Sequence, residues 1–380
     1  MLLFAWSAFV VTCIDRYAWG TIAATVGQSL GLSIGSLGAF TTAFYTGYAI
    51  ANVVGGPLAD LIGGRAALSL ALAALGSTAF CFGYVSTLEM GILIQFVMGL
   101  ASGADYCAGV KLINGWFRQD KGRAIGIFAS ATSISIIAAN LIVPALTARV
   151  GWTVAFQILG VATVFVGLLV LVGTRGVPPH IPRERLSHAH LVALIRNRDF
   201  LLLSVAGGAG VWGIIGFVSW ANALLTKHFG LTLQQAGGVM TIVGAAAFVF
   251  TPLVGWLSDL IPQHRRKMIV AWPCAFAVML AIFGRCDTAS EFRIIAPFLG
   301  IFAYGYLPML ITQITTLAGP TSAGSAAGFS NALWQLIGAI APLAVGFTFA
   351  QTHSFLVAVL VVAVGPVVAA FTLLFVRSIR

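Results

Sequence analysis

Twelve long apolar runs, set apart by short polar stretches, organise this chain from end to end. They fall at about 2–24, 36–58, 66–86, 88–115, 123–147, 152–174, 199–225, 235–258, 267–284, 292–317, 325–350 and 354–376. A helix needs about 20 apolar residues to cross a bilayer. The pattern therefore predicts an all-α membrane protein with twelve transmembrane helices. Connections are short except at 175–198, where Pro178, Pro179 and Pro182 stand among arginines and three histidines, His180, His188 and His190. That stretch reads as a polar cytoplasmic linker between an N-terminal six-helix half, 1–174, and a C-terminal six-helix half, 199–380. The histidines belong to this solvated linker, and no metal is expected there.

The halves repeat. Gly56-Pro57-Leu58-Ala59-Asp60 returns as Gly255-Trp256-Leu257-Ser258-Asp259, an offset of 259 − 60 = 199. Gly122-Arg123-Ala124-Ile125-Gly126 is answered by Gly324-Ser325-Ala326-Ala327-Gly328, an offset of 324 − 122 = 202. Two matched pairs at nearly one offset imply two pseudo-symmetric copies of one membrane unit. Secondary transporters are built this way, with the substrate site at mid-membrane between the copies.

Composition agrees: 59% of residues are hydrophobic and 8% charged, with mean hydropathy +1.01. A soluble chain carries about 25% charged residues, so lipid must be the solvent here. The net charge is +10. Fourteen of the twenty Lys and Arg, among them Arg65, Arg118, Arg123, Arg265, Arg266 and Arg377, fall in loops and ends placed on the cytoplasmic side. This positive-inside bias puts both termini in the cytoplasm. Basic residues scattered over short loops do not make a nucleic-acid surface. No A-x-A-type cleavage site follows the first apolar run. Met1 stands directly inside that span, which suggests that cytoplasmic residues precede it.

Enzyme signatures are missing or misplaced. Gly208-Ala209-Gly210-Val211-Trp212-Gly213 matches the dinucleotide fingerprint, but that motif needs a strand before it. Inside a continuous apolar run its small residues instead permit close packing and bending of span seven. There is no Walker A sequence, no histidine inside a span and no paired cysteine motif among the five cysteines. No cofactor and no enzymatic activity are expected.

Gly56-x-Leu58-Ala59-Asp60-x-x-Gly63-Gly64-Arg65, between spans two and three, resembles the signature loop of the major facilitator superfamily, with its degenerate copy between spans eight and nine. Within that superfamily the chain is similar to the anion:cation symporters. Asp15-Arg16, Trp116-Phe117 followed by Gly122 to Phe128, Gly151-Trp152, Trp220 with Lys227 to Leu231, and Gly328-x-x-Asn331 running to Pro342 carry the likeness. The resemblance implies proton- or cation-coupled uptake of organic anions such as sugar acids, dicarboxylates or aromatic carboxylates. Many relatives carry an acid in span four about fourteen residues before Trp-Phe; Ser102 stands there, and the nearest acid is Asp105.

Ionised residues at a helix centre cost about 2.5–3.5 kcal/mol on insertion scales and so mark pathways or partners. Asp15 and Arg16 lie mid-span, and adjacent helical residues do not face each other. Arg16, whose planar fork matches a carboxylate, is the expected substrate anchor. Asp15 and Asp105 are the candidate proton carriers, with Asp105 alternatively the resting partner of Arg16. Tyr17, Tyr45, Tyr48, Tyr106, Trp212, Trp220, Asn222, Asn331 and Gln335 are candidates to complete the site. Gly56, Asp60, Arg65 and Asp259 are the expected gating residues, and Lys111 an attractor or gate towards the exit.

The sequence thus predicts a monomeric, proton-driven importer of a small organic anion in a bacterial inner membrane. Sodium is the alternative coupling ion, and a proton-driven exporter of amphipathic compounds on the same fold the alternative function. Topology offers a first test. Reporters at residue 185 and Arg380 should read cytoplasmic, and those at Arg149 and Lys227 external. A reporter at 185 active only outside would contradict the two-half layout.

Overall fold

A computed structural model describes residues 1–116, 121–174, 196–318 and 323–377. The side chains of residues 56–60 and of Asp259 lie outside that description, as do most of the linker and Arg380. The described chain is helical: α1 (Leu2–Ser29), α2 (Leu37–Ile62), α3 (Gly64–Phe82), α4 (Leu88–Trp116), α5 (121–150) and α6 (152–173). Then follow α7 (Arg198–Phe229), α8 (Leu233–Leu260), α9 (Arg265–Phe283), α10 (Ala289–Tyr304), α11 (Leu307–Ala318), α12 (Ala323–Thr352) and α13 (Phe355–Leu374). Among the described residues, nine helical stretches are long and apolar enough to cross a membrane, and one of them, 47 residues long, holds both α5 and α6.

Two details depart from the expected spans. The fifth and sixth are joined by a turn of one residue, Gly151, whose φ of 81° and ψ of 163° suit a residue without Cβ, and both run alongside α1, where Trp6 meets Ser130 and Phe4 meets Gly173. The tenth is two helices, α10 and α11, parted at Gly305-Tyr306.

Turns at one end of the bundle are set by side-chain caps. Thr232 with Gln235 and Thr288 with Glu291 form capping boxes, and Ser354 accepts from Val357 N. Such caps contribute about 1 kcal/mol each. On α7, Asn197 accepts from the amides of Asp199 and Phe200.

The repeat in sequence is a repeat in packing. In the first half α2 lies on α4, α1 on both α5 and α6, and α3 on α6, where Gly76 meets Gly160. In the second half α8 lies on α10, α7 on α12 and α13, and α9 on α13. A paired arginine device follows the same offset. Arg65, at the start of α3, donates from Nε to Leu171 O near the end of α6 at 2.8 Å. Arg266, at the start of α9, donates from Nη2 to Leu374 O at the end of α13 at 3.4 Å. The offsets are 266 − 65 = 201 and 374 − 171 = 203. A cation suits the negative end of a helix, where carbonyls lack intrahelical partners.

The halves meet through α1 on α7, α2 on α12, and α5 on α8. Close approaches cluster towards the end that carries turns 30–36, 230–232 and 353–354. Thr42 Oγ1 donates to Ala339 O at 2.6 Å. A Cβ on Gly38 would overlap Pro342 O, and one on Gly237 would overlap Asn140 O. Span seven also uses its small residues as expected, for Tyr306 Oη lies where a Cβ of Gly210 would be.

This contact predicts a cross-link. With Thr42→Cys and Ala339→Cys in a background lacking other cysteines, a short bifunctional reagent should join α2 to α12. Adding Gly38→Leu should suppress the product several-fold, because overpacking costs about 1–3 kcal/mol. Undiminished cross-linking would show that the two helices do not meet as described.

Candidate functional site

Asp15 and Arg16 leave α1 in different directions, as helical geometry requires. Asp15, 2% exposed, accepts a hydrogen bond from Thr163 Oγ1 of α6 at 2.7 Å. It is thus tied inside its own half. Arg16 points the other way. Its Nη2 donates to Ser102 Oγ of α4 at 3.3 Å, and Cζ sits 4.3 Å from the centroid of the Tyr48 ring of α2. Such a cation–π contact gains electrostatic stabilisation from the ring quadrupole. Arg16 Nε has no partner. Among the described residues no carboxylate comes within ion-pair distance of this guanidinium. Its hydrogen-bond and ring contacts are neutral.

Asp105 lies one turn beyond Ser102 on α4 and is 1% exposed. It faces Thr12 and lies within electrostatic range of Arg16. Neither carboxylate oxygen nor Thr12 Oγ1 reaches hydrogen-bond geometry with any partner. The alternative of a resting Arg16–Asp105 ion pair is therefore not the arrangement seen. Ser102, not an acid, is the α4 side chain in contact with Arg16.

A recess opens beside Arg16. Tyr17, Thr41, Tyr45 and Gln95 line it from the first half, and Val218 and Ser219 from α7. It is narrow, with room for about one water molecule. Gln95 is 2% exposed and its Nε2 has no partner. Tyr304, at the end of α10, comes within electrostatic range of Tyr17, Tyr45 and Arg16, and its hydroxyl is buried and unpartnered.

The structure brings Arg16, Tyr17, Tyr45 and Tyr48 together and disperses other candidates. Tyr106 packs between Phe9 and Phe128, with centroids 5.5 and 6.1 Å away. Trp212 Nε1 donates to Val361 O of α13 at 3.0 Å, and Trp220 Nε1 to Pro342 O of α12 at 2.9 Å. Asn222 Nδ2 donates to Asn140 Oδ1 at 2.8 Å, a buried bond between α7 and α5 that crosses from one half to the other. Asn331 and Gln335 bond each other on one face of α12 at 3.4 Å, leaving Gln335 Oε1 buried and unpartnered. Lys111 is half-buried nearly two turns beyond Asp105. Arg65 serves the α3–α6 tie already described. The side chains of Gly56, Asp60 and Asp259 lie outside the described residues.

Sequence reading did not pick out Gln95, Thr41, Ser219, Asn140 or Tyr304. Tyr304 had a signal: Tyr304-Gly305-Tyr306-Leu307-Pro308 interrupts an apolar run. The others are single polar residues in apolar helices, with no pattern to raise them.

Repeated helical halves that close over a buried charge at mid-depth define an integral membrane transporter. The chain belongs to the Major Facilitator Superfamily, whose family model matches residues 5–342, and it is not an enzyme. The probable L-galactonate transporter of Escherichia coli K12 is 26% identical, covering 100% of this chain and 88% of that protein. A probable galactarate/D-glucarate transporter of the same strain, GudP, is 23% identical over 96% of this chain and 91% of its own. A crystal structure of a bacterial homologue of the human lysosomal transporter Spinster, inward-facing and occupied, shares the fold. Its TM-score is 0.82 at 15% identity, covering 100% of this chain and 96% of that one.

The Asn140–Asn222 bond generates a prediction. A double-mutant cycle with Asn140→Ala and Asn222→Ala, read by chemical unfolding in detergent, should give a coupling of about 1 kcal/mol. Strict additivity would mean that the bond does not form.

Proposed function

We propose that this protein imports a small organic anion by proton symport. Sugar acids, dicarboxylates and aromatic carboxylates are the candidate substrates, with sugar acids favoured by the relatives' names. The observation that carries the proposal is Arg16: a half-buried guanidinium with neutral contacts, beside a recess at the junction of the halves. A carboxylate supplies the missing counter-charge and accepts both arms of the fork. The exporter alternative calls for an unpaired cavity carboxylate without an arginine, which the geometry does not favour.

Residues 1–174 and 199–380 are the two bodies that rock, joined by linker 175–198. The positive-inside bias makes the end with turns 30–36 and 230–232 external. On that assignment, the close contacts between α2 and α12 and between α5 and α8 seal the outer side. Rocking would break them, widen the recess and expose Arg16 outward. Asp105 is the favoured proton carrier, because its oxygens are unpartnered and Arg16 is within electrostatic range. Asp15, bonded to Thr163, is the second candidate. Sodium is the rival coupling ion. The latch role of Asp60 and Asp259, residence in a bacterial inner membrane with both termini cytoplasmic, and a monomeric state belong to the same proposal.

Proteoliposomes separate anchor from coupler. Arg16→Ala should lose galactonate binding by a factor of about 30 or more, since breaking a buried charged pair costs about 2–5 kcal/mol. Asp105→Asn should keep counterflow but lose pH-driven accumulation, because an amide cannot release the proton. Full accumulation by both Asp105→Asn and Asp15→Asn would remove proton coupling through either residue. Unchanged binding by Arg16→Ala would remove the anion site.

A further inference from the structure

One cation lines the recess. Among the described residues, Arg16 is the single charged one forming its walls, and Tyr17, Thr41, Tyr45, Gln95 and Ser219 supply neutral polar groups. The nearby buried acid, Asp105, has no hydrogen-bond partner. With Asp105 carrying the proton, a carboxylate on Arg16 completes the local charge balance. A second carboxylate in the same recess would shed its water without meeting a cation, and would stand near the first carboxylate. Desolvation and like-charge repulsion both oppose it.

Gln95 supplies the other half of the observation. Buried and with its Nε2 unpartnered, it lines the recess from α4. It lies seven residues from Ser102, the hydroxyl that holds Arg16. Seven residues advance about 10 Å along a helix, so once the recess is widened Gln95 and Arg16 can grip opposite ends of a short polyol acid. An amide N–H satisfies a hydroxyl or carbonyl oxygen and cannot neutralise a carboxylate.

We propose that the site selects hydroxylated monocarboxylates over dicarboxylates, with Arg16 holding the one carboxylate and Gln95 acting as the specificity-determining residue at the other end. The proposal rests on the anion-transport reading and narrows it. Selectivity arises from a missing charge as much as from a matching one, since a site discriminates by what it leaves unpaired in the wrong ligand.

Galactonate and galactarate share a six-carbon polyol chain and differ in having one or two carboxylates, which makes them the test pair. Competition for counterflow by the full-length wild-type protein in proteoliposomes should favour galactonate by at least about tenfold. Gln95→Arg should shrink that ratio by about tenfold or more through a gain for galactarate. Gln95→Leu should weaken galactonate several-fold without any gain for galactarate. Equal competition by both acids in the wild type would overturn the selectivity while leaving anion transport standing. Competition by neither, nor by aromatic monocarboxylates and dicarboxylates tested beside them, would overturn the anion-transport reading and the selectivity together. Should Gln95→Arg not fold, the wild-type ratio and Gln95→Leu still decide the matter.

Discussion

A half-buried guanidinium in the middle of α1, with neutral contacts, is the constraint on which this structure turns. Placing an ionised arginine at a helix centre costs about 2.5–3.5 kcal/mol even on insertion scales. Ser102 and the face of Tyr48 offset part of that cost without cancelling the charge. Asp15, next to Arg16 in sequence, is turned away and satisfied by Thr163. Three helices of one half thus converge to hold a positive charge whose hydrogen-bond and ring contacts are neutral. Asp105, buried close by with no hydrogen bond of its own, adds a group whose charge affects the cation's field.

Such a charge is useful only if the membrane-spanning scaffold can present it to water. Each half has its own set of packed helices and an arginine that ties its third helix to its last. Between them the contacts are of a different kind. They are close approaches of glycine to backbone carbonyl, one Thr42–Ala339 hydrogen bond and the Asn140–Asn222 pair, gathered towards one end of the bundle. The small residues there let the backbones of the two halves approach closely.

Much of this was legible in the sequence, and the limits have physical causes. Run length and the 199-residue repeat sufficed for the all-helical, two-half fold, because lipid leaves few alternatives to a helix. Asp15, Arg16 and Asp105 stood out because charge inside a span is costly. The rotational setting of α7 could not be read. Its most apolar window is 72% buried, so neighbours surround it and no amphipathic face shows which side meets the cavity. Trp212, Trp220 and Asn222 consequently looked alike in sequence, yet they hydrogen-bond to α13, α12 and α5 respectively. Gln95 went unnoticed for a related reason: one amide in an apolar helix has no periodicity, and its meaning lies in what it fails to bond.

The claim at the centre of this account is that Arg16 awaits an anion. The most direct measurement is a cryo-electron microscopy structure of the protein saturated with galactonate. Density for the ligand carboxylate within hydrogen-bond distance of the Arg16 guanidinium, in a recess widened between α1, α2, α4 and α7, is the predicted result. A ligand bound elsewhere, with Arg16 still resting on Ser102 and Tyr48, would contradict it.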